Sequence, residues 1–243
     1  AVSAALPLFA QAQPAPDLDS LTAAQAAADI CAGKYTSEAL VGAALARARA
    51  RADLNAFITL DEAGALKAAK AADAARKGGV GKRGACKPLD GVPVVIKDNI
   101  EVAGLPASAG TPALKGFVPK ADAPVAAKLR AAGAIVLGKT NMHELAFGIS
   151  GYNLAFKSGA QPGVRNAYDP TRIAGGSSSG SGAAIGARIA LAGLGTDTGG
   201  SVRIPCALNG CASLRPTVGR YAQKGIAPIS HTRDTAGPMG VAM

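Results

Sequence analysis

Gly91-Val92-Pro93-Val94-Val95-Ile96-Lys97 is the stretch on which the fold turns. Val92 to Ile96 is a continuous apolar run with three valines, and a run of that length and composition reads as a strand buried on both faces. A loop rich in Gly and Pro follows. Pro124 to Ala132 then reads as a short helix that Gly133 ends, and Ala134 to Leu137 is a second short apolar run. Strand, helix, strand is the pattern of an α/β sheet with a parallel pair. Upstream, residues 21–77 carry helical periodicity. Ser20 is placed to cap a first helix and Gly33 to end it. Thr36 or Ser37 can open a second, and a third is expected from about Asp61 to Arg76, before Gly78-Gly79. These Ala-rich helices read as packing layers. Downstream, 140–173 reads as loop. A glycine-serine cluster, Gly175 to Gly182, feeds a helix expected over about 183–192, and a second glycine cluster, Gly193 to Ser201, follows it.

Composition narrows the class. The chain has 243 residues, 49% of them hydrophobic, with no Trp, so it can fill one large core. Its 31 glycines cluster instead of repeating, which excludes collagen-like and low-complexity chains. The formal charge of +10 invites a nucleic-acid partner. However, the basic residues are scattered along Ala-rich helices without interleaved aromatics, so solvated helix faces are the better reading. Residues 1–12 are small and apolar and end in Ala10-Gln11-Ala12, which fits the tail of a secretory signal; residues 13–20 would be a spacer. A disordered arm is the alternative. The signal reading implies a periplasmic or secreted protein, and a cytoplasmic one otherwise. No stretch reads as transmembrane.

The four cysteines, Cys31, Cys86, Cys206 and Cys211, contain no CxxC, and the two histidines are not spaced with them as zinc ligands. No metal or other cofactor is expected. In an exported protein disulfides are allowed, and Cys31–Cys86 with Cys206–Cys211 is the first pairing to test. Buried free thiols acting as small hydrophobes are the alternative.

Three motifs compete for the chemistry. Gly133-Ala134-Ile135-Val136-Leu137-Gly138-Lys139-Thr140 matches the phosphate-loop pattern, but its interior is Ala-Ile-Val-Leu, which belongs inside a strand and cannot wrap an anion. Nucleotide binding is therefore rejected. Gly176-Ser177-Ser178-Ser179-Gly180 contains GxSxG, yet no strand run precedes it, and His231 is the only later histidine. The third reading joins Lys97 to both glycine clusters. A serine nucleophile needs a base and oxyanion donors, and lysine serves as a base when burial holds it neutral. Lys97, at the end of a core strand, suits that demand; snorkelling from a strand end is the alternative. Thr198-Gly199-Gly200-Ser201 can aim several N–H groups at one point, and can equally be a tight turn with a helix cap at Ser201.

Gly175-Gly176-Ser177-Ser178 through Gly195-Thr196-Asp197-Thr198-Gly199-Gly200-Ser201-Val202-Arg203-Ile204-Pro205 resembles the signature of the amidase signature family. Pro93 to Asn99 resembles that family's lysine segment, Gly138 to Met142 is also typical of it, and the 24-residue spacing from Ser177 to Ser201 fits. The resemblance runs from about Leu21 to Gly240. It implies an α/β/α layered fold with a mixed central sheet flanked by helices, as one domain over 21–243 that is truncated on its C-terminal side. It implies Ser201 as nucleophile, Ser177 as the bridging serine after a cis peptide, and Lys97 as the base. Thr198, Gly199, Gly200 and Ser201 would form the oxyanion hole, braced by Ser178 and by Asp197 with Arg203. The implied activity is amidohydrolysis of a carboxamide, anilide or carbamate through an acyl-enzyme. One rival reading is a component of an amidotransferase that works on misacylated tRNA; the other is a non-catalytic protein that keeps the fold. The implied partner is a small-molecule amide or carbamate, with no nucleic acid and no membrane; a homodimer is left open. Within Leu145 to Ile149, Phe147 and Ile149 are expected to line an apolar part of the pocket, with core packing as the alternative. A lone truncated domain would also bare a sheet edge.

Overall fold

Two threonines open the first two helices. Thr22 Oγ1 accepts from Gln25 N at 3.1 Å and Thr36 Oγ1 from Ala39 N at 3.0 Å, so each satisfies an N–H group at a helix start that has no partner within the helix. They precede α1 (Ala23–Cys31) and α2 (Ser37–Ala50). The chain then forms β1 (Phe57–Leu60), α3 (Glu62–Gly78), β2 (Pro93–Lys97), α4 (Pro124–Ala131), β3 (Ile135–Thr140), α5 (Ser179–Gly186), β4 (Ala192–Asp197), α6 (Arg203–Asn209), β5 (Ala212–Ser213) and β6 (Thr235–Gly240). The computed structural model describes residues 15–78, 86–160 and 162–242. The expected signal remnant, 1–12, lies outside the described residues, as does the start of the spacer.

The six strands form one mixed sheet in the order β1-β3-β2-β4-β6-β5. The pairs β2–β3 and β2–β4 are parallel, while β1–β3, β4–β6 and β5–β6 are antiparallel. The apolar run that sets the fold is β2, which lies inside the sheet between β3 and β4. Its side chains alternate between two cores. Val95 packs with Val41, Leu45, Leu137 and Ile185 on one face, and Val94 and Ile96 pack with Val136, Val125 and Leu194 on the other. A strand covered on both faces shows no polar alternation, which is why the run reads as unbroken.

Several boundaries move. Thr22, not Ser20, caps α1; Ser20 instead folds back onto Asp17 O. Residues 17–20 are no loose spacer, since Leu18 is buried among Leu21, Ile30 and Leu40. The phosphate-loop match is dissolved: Gly133 ends α4 in a left-handed conformation, and Ile135 to Thr140 are all buried in β3. The helix expected over 183–192 instead spans Ser179–Gly186, and residues 192–197 are strand. Glycine favours neither helix nor strand on its own, so the glycine-rich parts of both elements read as loop; they form because close packing excludes side chains. A Cβ at Gly182 would lie 2.8 Å from Pro205 Cβ, and one at Gly186 would lie 2.2 Å from Asn209 O, so these two glycines let α6 press onto α5.

The sheet edges are β1 and the two-residue β5, the second too short to template much pairing. Disulfides join Cys31 to Cys86 and Cys206 to Cys211, so the free-thiol alternative does not hold in this structure.

Candidate active site

Lys97, Thr140 and Asp197 are the last residues of β2, β3 and β4, the three parallel neighbours at the centre of the sheet. The carboxyl ends of parallel strands are where α/β sheets gather polar groups. Lys97 is fully buried, with Nζ 2.7 Å from Ser177 Oγ and 2.7 Å from Thr196 Oγ1. Burial pushes its pKa down to about 7, against the pull of the Asp197 and Asp234 carboxylates. Snorkelling is therefore excluded for this lysine.

Ser177 is also fully buried and follows a cis Gly176–Ser177 peptide bond. Its carbonyl accepts from His143 N at 3.1 Å. Ser178 ties the two glycine clusters together: its N–H donates to Ser201 O at 3.1 Å, and its hydroxyl contacts both Thr196 N and Thr196 O at 3.3 Å. Gly195 makes this possible, because a Cβ there would sit 2.6 Å from Ser178 Oγ. Ser201 is 8% exposed, and among the described residues its hydroxyl has no hydrogen-bond partner. The structure thus brings Lys97 and Ser177 into direct contact, and the main chain of Ser201 meets that of Ser178.

Asp197 organises the loop that holds Ser201. Its carboxylate accepts from Gly200 N at 2.8 Å, Val202 N at 3.2 Å, Arg203 Nε at 3.1 Å and Arg203 Nη2 at 3.2 Å, with Arg215 Nη1 at 2.8 Å. Burial alone would raise this carboxyl, but the bonds from Arg203, Val202 N and Gly200 N outweigh it and hold the pKa at about 2. One expectation needs correction here. The Gly200 N–H is taken by Asp197, so it is not free to join an oxyanion hole, whereas the N–H groups of Thr198, Gly199 and Ser201 are not taken up by the described backbone. Gly200 also takes a φ of 132°, a backbone conformation that glycine adopts readily.

Phe147 and Ile149 stand 78% and 65% exposed in this chain, while Ala146 beside them is buried. They flank Gly148, whose carbonyl lies 3.1 Å from where a Cβ of Gly176 would be, so the segment borders the Ser177 turn. The structure adds residues that sequence reasoning missed. Thr196 and Asn99 meet at 3.1 Å next to Lys97. Asp234 accepts from Thr198 Oγ1 at 2.5 Å and steadies the Ser201 loop from outside. Arg215 reaches Asp197 from beyond β5. Thr196 and Asn99 could have been found as neighbours of the quoted motifs; Arg215 and Asp234 carry no local signal. Among the described residues, no group of three or more His, Cys, Asp or Glu is placed to hold a metal ion, and no helix is long and apolar enough to cross a membrane.

A buried lysine–serine pair and a glycine-rich serine loop thus lie together at the carboxyl edge of the mixed sheet, and comparison with known proteins gives the family. The family model described as Amidase matches residues 39–242. A mandelamide hydrolase of Pseudomonas putida is 54% identical over 232 residues, covering 96% of this chain and 44% of that protein. One component of the glutamyl-tRNA(Gln) amidotransferase of Myxococcus xanthus is 43% identical over 91% of this chain and 44% of its own length. The native peptide amidase structure from Stenotrophomonas maltophilia superposes with a TM-score of 0.82 at 41% identity, over 93% of this chain and 46% of that one. The chain belongs to the amidase family, and it spans less than half the length of these relatives.

Proposed function

We propose that this chain carries the catalytic set of an amidohydrolase in which Lys97, Ser177 and Ser201 relay a proton. The observation that carries this reading is the 2.7 Å contact between the fully buried Lys97 amine and Ser177 Oγ. Ser201 Oγ attacks the carbonyl of a carboxamide, anilide or carbamate. Its proton passes to Ser177 Oγ as Ser177 gives its own to Lys97 Nζ. The tetrahedral oxyanion is held by the N–H groups of Thr198, Gly199 and Ser201. The amine departs with a proton returned by Lys97 through Ser177, and water then cleaves the acyl-enzyme by the same relay. The open geometry at the Ser201 hydroxyl is ordinary for a site without substrate, because such contacts tighten on binding.

A small carboxamide whose acyl group carries an aromatic ring is the substrate class we favour. The exposed Phe147 and Ile149 offer it an apolar wall, and the 54% identical relative is named for mandelamide, an amide of that kind. A component of an amidotransferase is the second reading, supported by the 43% identical relative. The two disulfides weigh towards an exported enzyme, since such bonds persist in oxidising compartments. Fractionating periplasm from cytosol separates the two: a cytosolic protein that co-purifies with further transferase components favours the second reading.

The deciding experiment uses the protein as its gene encodes it. Ser201→Ala should abolish turnover of a panel of aliphatic amides, anilides and carbamates, and Lys97→Ala should lose most of it. Near wild-type turnover in Ser201→Ala would falsify the mechanism. A fluorophosphonate probe should label Ser201; an inert serine would favour a non-catalytic protein that keeps the fold.

A further inference from the structure

Lys97 has an unusual shortage of acceptors. An ammonium carries three donor hydrogens, yet among the described residues the Lys97 amine contacts two oxygens, Ser177 Oγ and Thr196 Oγ1. The second is shared. Asn99 Nδ2 lies 3.1 Å from Thr196 Oγ1 and also 3.4 Å from Ala227 O. The carbonyl of Ala227 cannot donate, so it fixes which end of the Asn99 amide faces Thr196. Turning the amide over would set two acceptor oxygens against each other. Thr196 Oγ1 therefore accepts from Asn99, which fills one of its two acceptor positions. The orientation has a cost: Asn99 Oδ1 is buried without a protein partner among the described residues. Main-chain bonds hold Asn99 in place, since Ala227 N donates to Asn99 O at 2.9 Å.

We propose that Asn99 is a positioning residue that acts on Lys97 through Thr196: by occupying an acceptor position of Thr196 Oγ1, it keeps Lys97 an amine ready to take the proton of Ser177. This rests on the Lys97–Ser177–Ser201 relay proposed above. The other charged or titratable groups in electrostatic reach of Lys97 are Asp197 at the end of β4, Asp234 before β6 and His143 after β3. A further buried pair, Lys139 with Asp98, is engaged with itself at 3.4 Å and with Pro106 O. Asp197 and Asp234 both favour the charged form of Lys97. Asn99 works with burial in the opposite direction.

The test is the acid limb of kcat/KM, which reports the free enzyme's essential base. Asn99→Ala and the near-isosteric Asn99→Leu both remove the donor, and the leucine also keeps water from filling the space. Both should move the limb to higher pH by ~0.5–1 unit, as freed acceptor capacity stabilises the ammonium. In a Thr196→Val background the same substitutions should move it no further, because the effect runs through the hydroxyl. A limb that stays put in folded Asn99→Leu overturns the proposal. So does a shift that survives undiminished in the Thr196→Val background. Should Asn99→Ala fail to fold, the leucine variant decides alone. Full activity in Lys97→Ala would instead sink the relay itself, and that result is distinct from an unmoved limb in an enzyme that needs Lys97.

Discussion

At the residue scale, the proposed relay makes Lys97 the group that sets the pH behaviour. It can accept a proton only as the amine, and burial has brought its pKa from 10.5 to about 7. Activity should therefore be level above pH 7 and fall about tenfold per unit below it; a flat kcat/KM profile down to pH 5 would exclude a lysine base. Stability follows the same group with its own sign. Between pH 10.5 and about 7 the unfolded chain takes up the Lys97 proton and the folded one does not, so the fold loses stability as the pH falls through that window and loses no more below it. Asp197 acts in a lower window. Its carboxyl, ordinarily near 3.8, is held at about 2, so it stabilises the fold above 3.8 and that contribution disappears as the pH drops through 2. Lys97 was legible in the sequence because five apolar residues precede it at a strand end. Ser177 and Ser201 were legible through glycine. Asn99 and Thr196 sit within the quoted motifs, yet the amide in the turn after β2 meets the hydroxyl on β4, which no spacing within one segment shows.

At the element scale, the two misread stretches share a cause. β4 begins Ala-Gly-Leu-Gly, a poor strand by propensity, and α5 begins Ser-Gly-Ser-Gly, a poor helix. Both lie at the centre of the molecule, where contact with neighbouring backbone decides conformation. A Cβ at Gly193 would sit 2.6 Å from Val95 O, and one at Gly180 would sit 2.2 Å from Ala56 O. Gly180→Ala should then destabilise the protein by about 1–3 kcal/mol, since rigid main chain must move aside; a urea midpoint equal to wild type would show that α5 tolerates the added methyl. Gly195→Ala meets the Ser178 hydroxyl instead, so it should also loosen the hold of Ser178 on Thr196 and lower kcat more than it raises KM. The helices α2 and α3, by contrast, announced themselves through ordinary capping and periodicity: α2 opens at Ser37, and α3 spans Glu62–Gly78 where about Asp61 to Arg76 was expected.

At the scale of the whole molecule, the covalent cross-links divide unequally. Cys31–Cys86 closes a loop with a sequence separation of 55, and Cys206–Cys211 one of 5. Loop-closure entropy assigns the larger effect to the first, about 2–4 kcal/mol. A Cys31→Ser/Cys86→Ser variant should lose roughly that much in urea unfolding, and the equivalent change at 206 and 211 should lose less; the reverse ranking would show that strain or local contacts outweigh chain entropy. The central parallel pairing of β2 with β4 has a different reach. Val94 lies opposite Ala192 and Ile96 opposite Leu194, so the strand that ends in Lys97 pairs with β4 across a long stretch of intervening chain. The helical layers can form from nearby residues, whereas long-range parallel strands close slowly. On the relay proposed above, a reactive Ser201 should therefore arrive late in folding. On dilution from denaturant, far-ultraviolet helix signal should return before Ser201 becomes reactive to a fluorophosphonate; simultaneous recovery would mean that the helices themselves wait for the sheet.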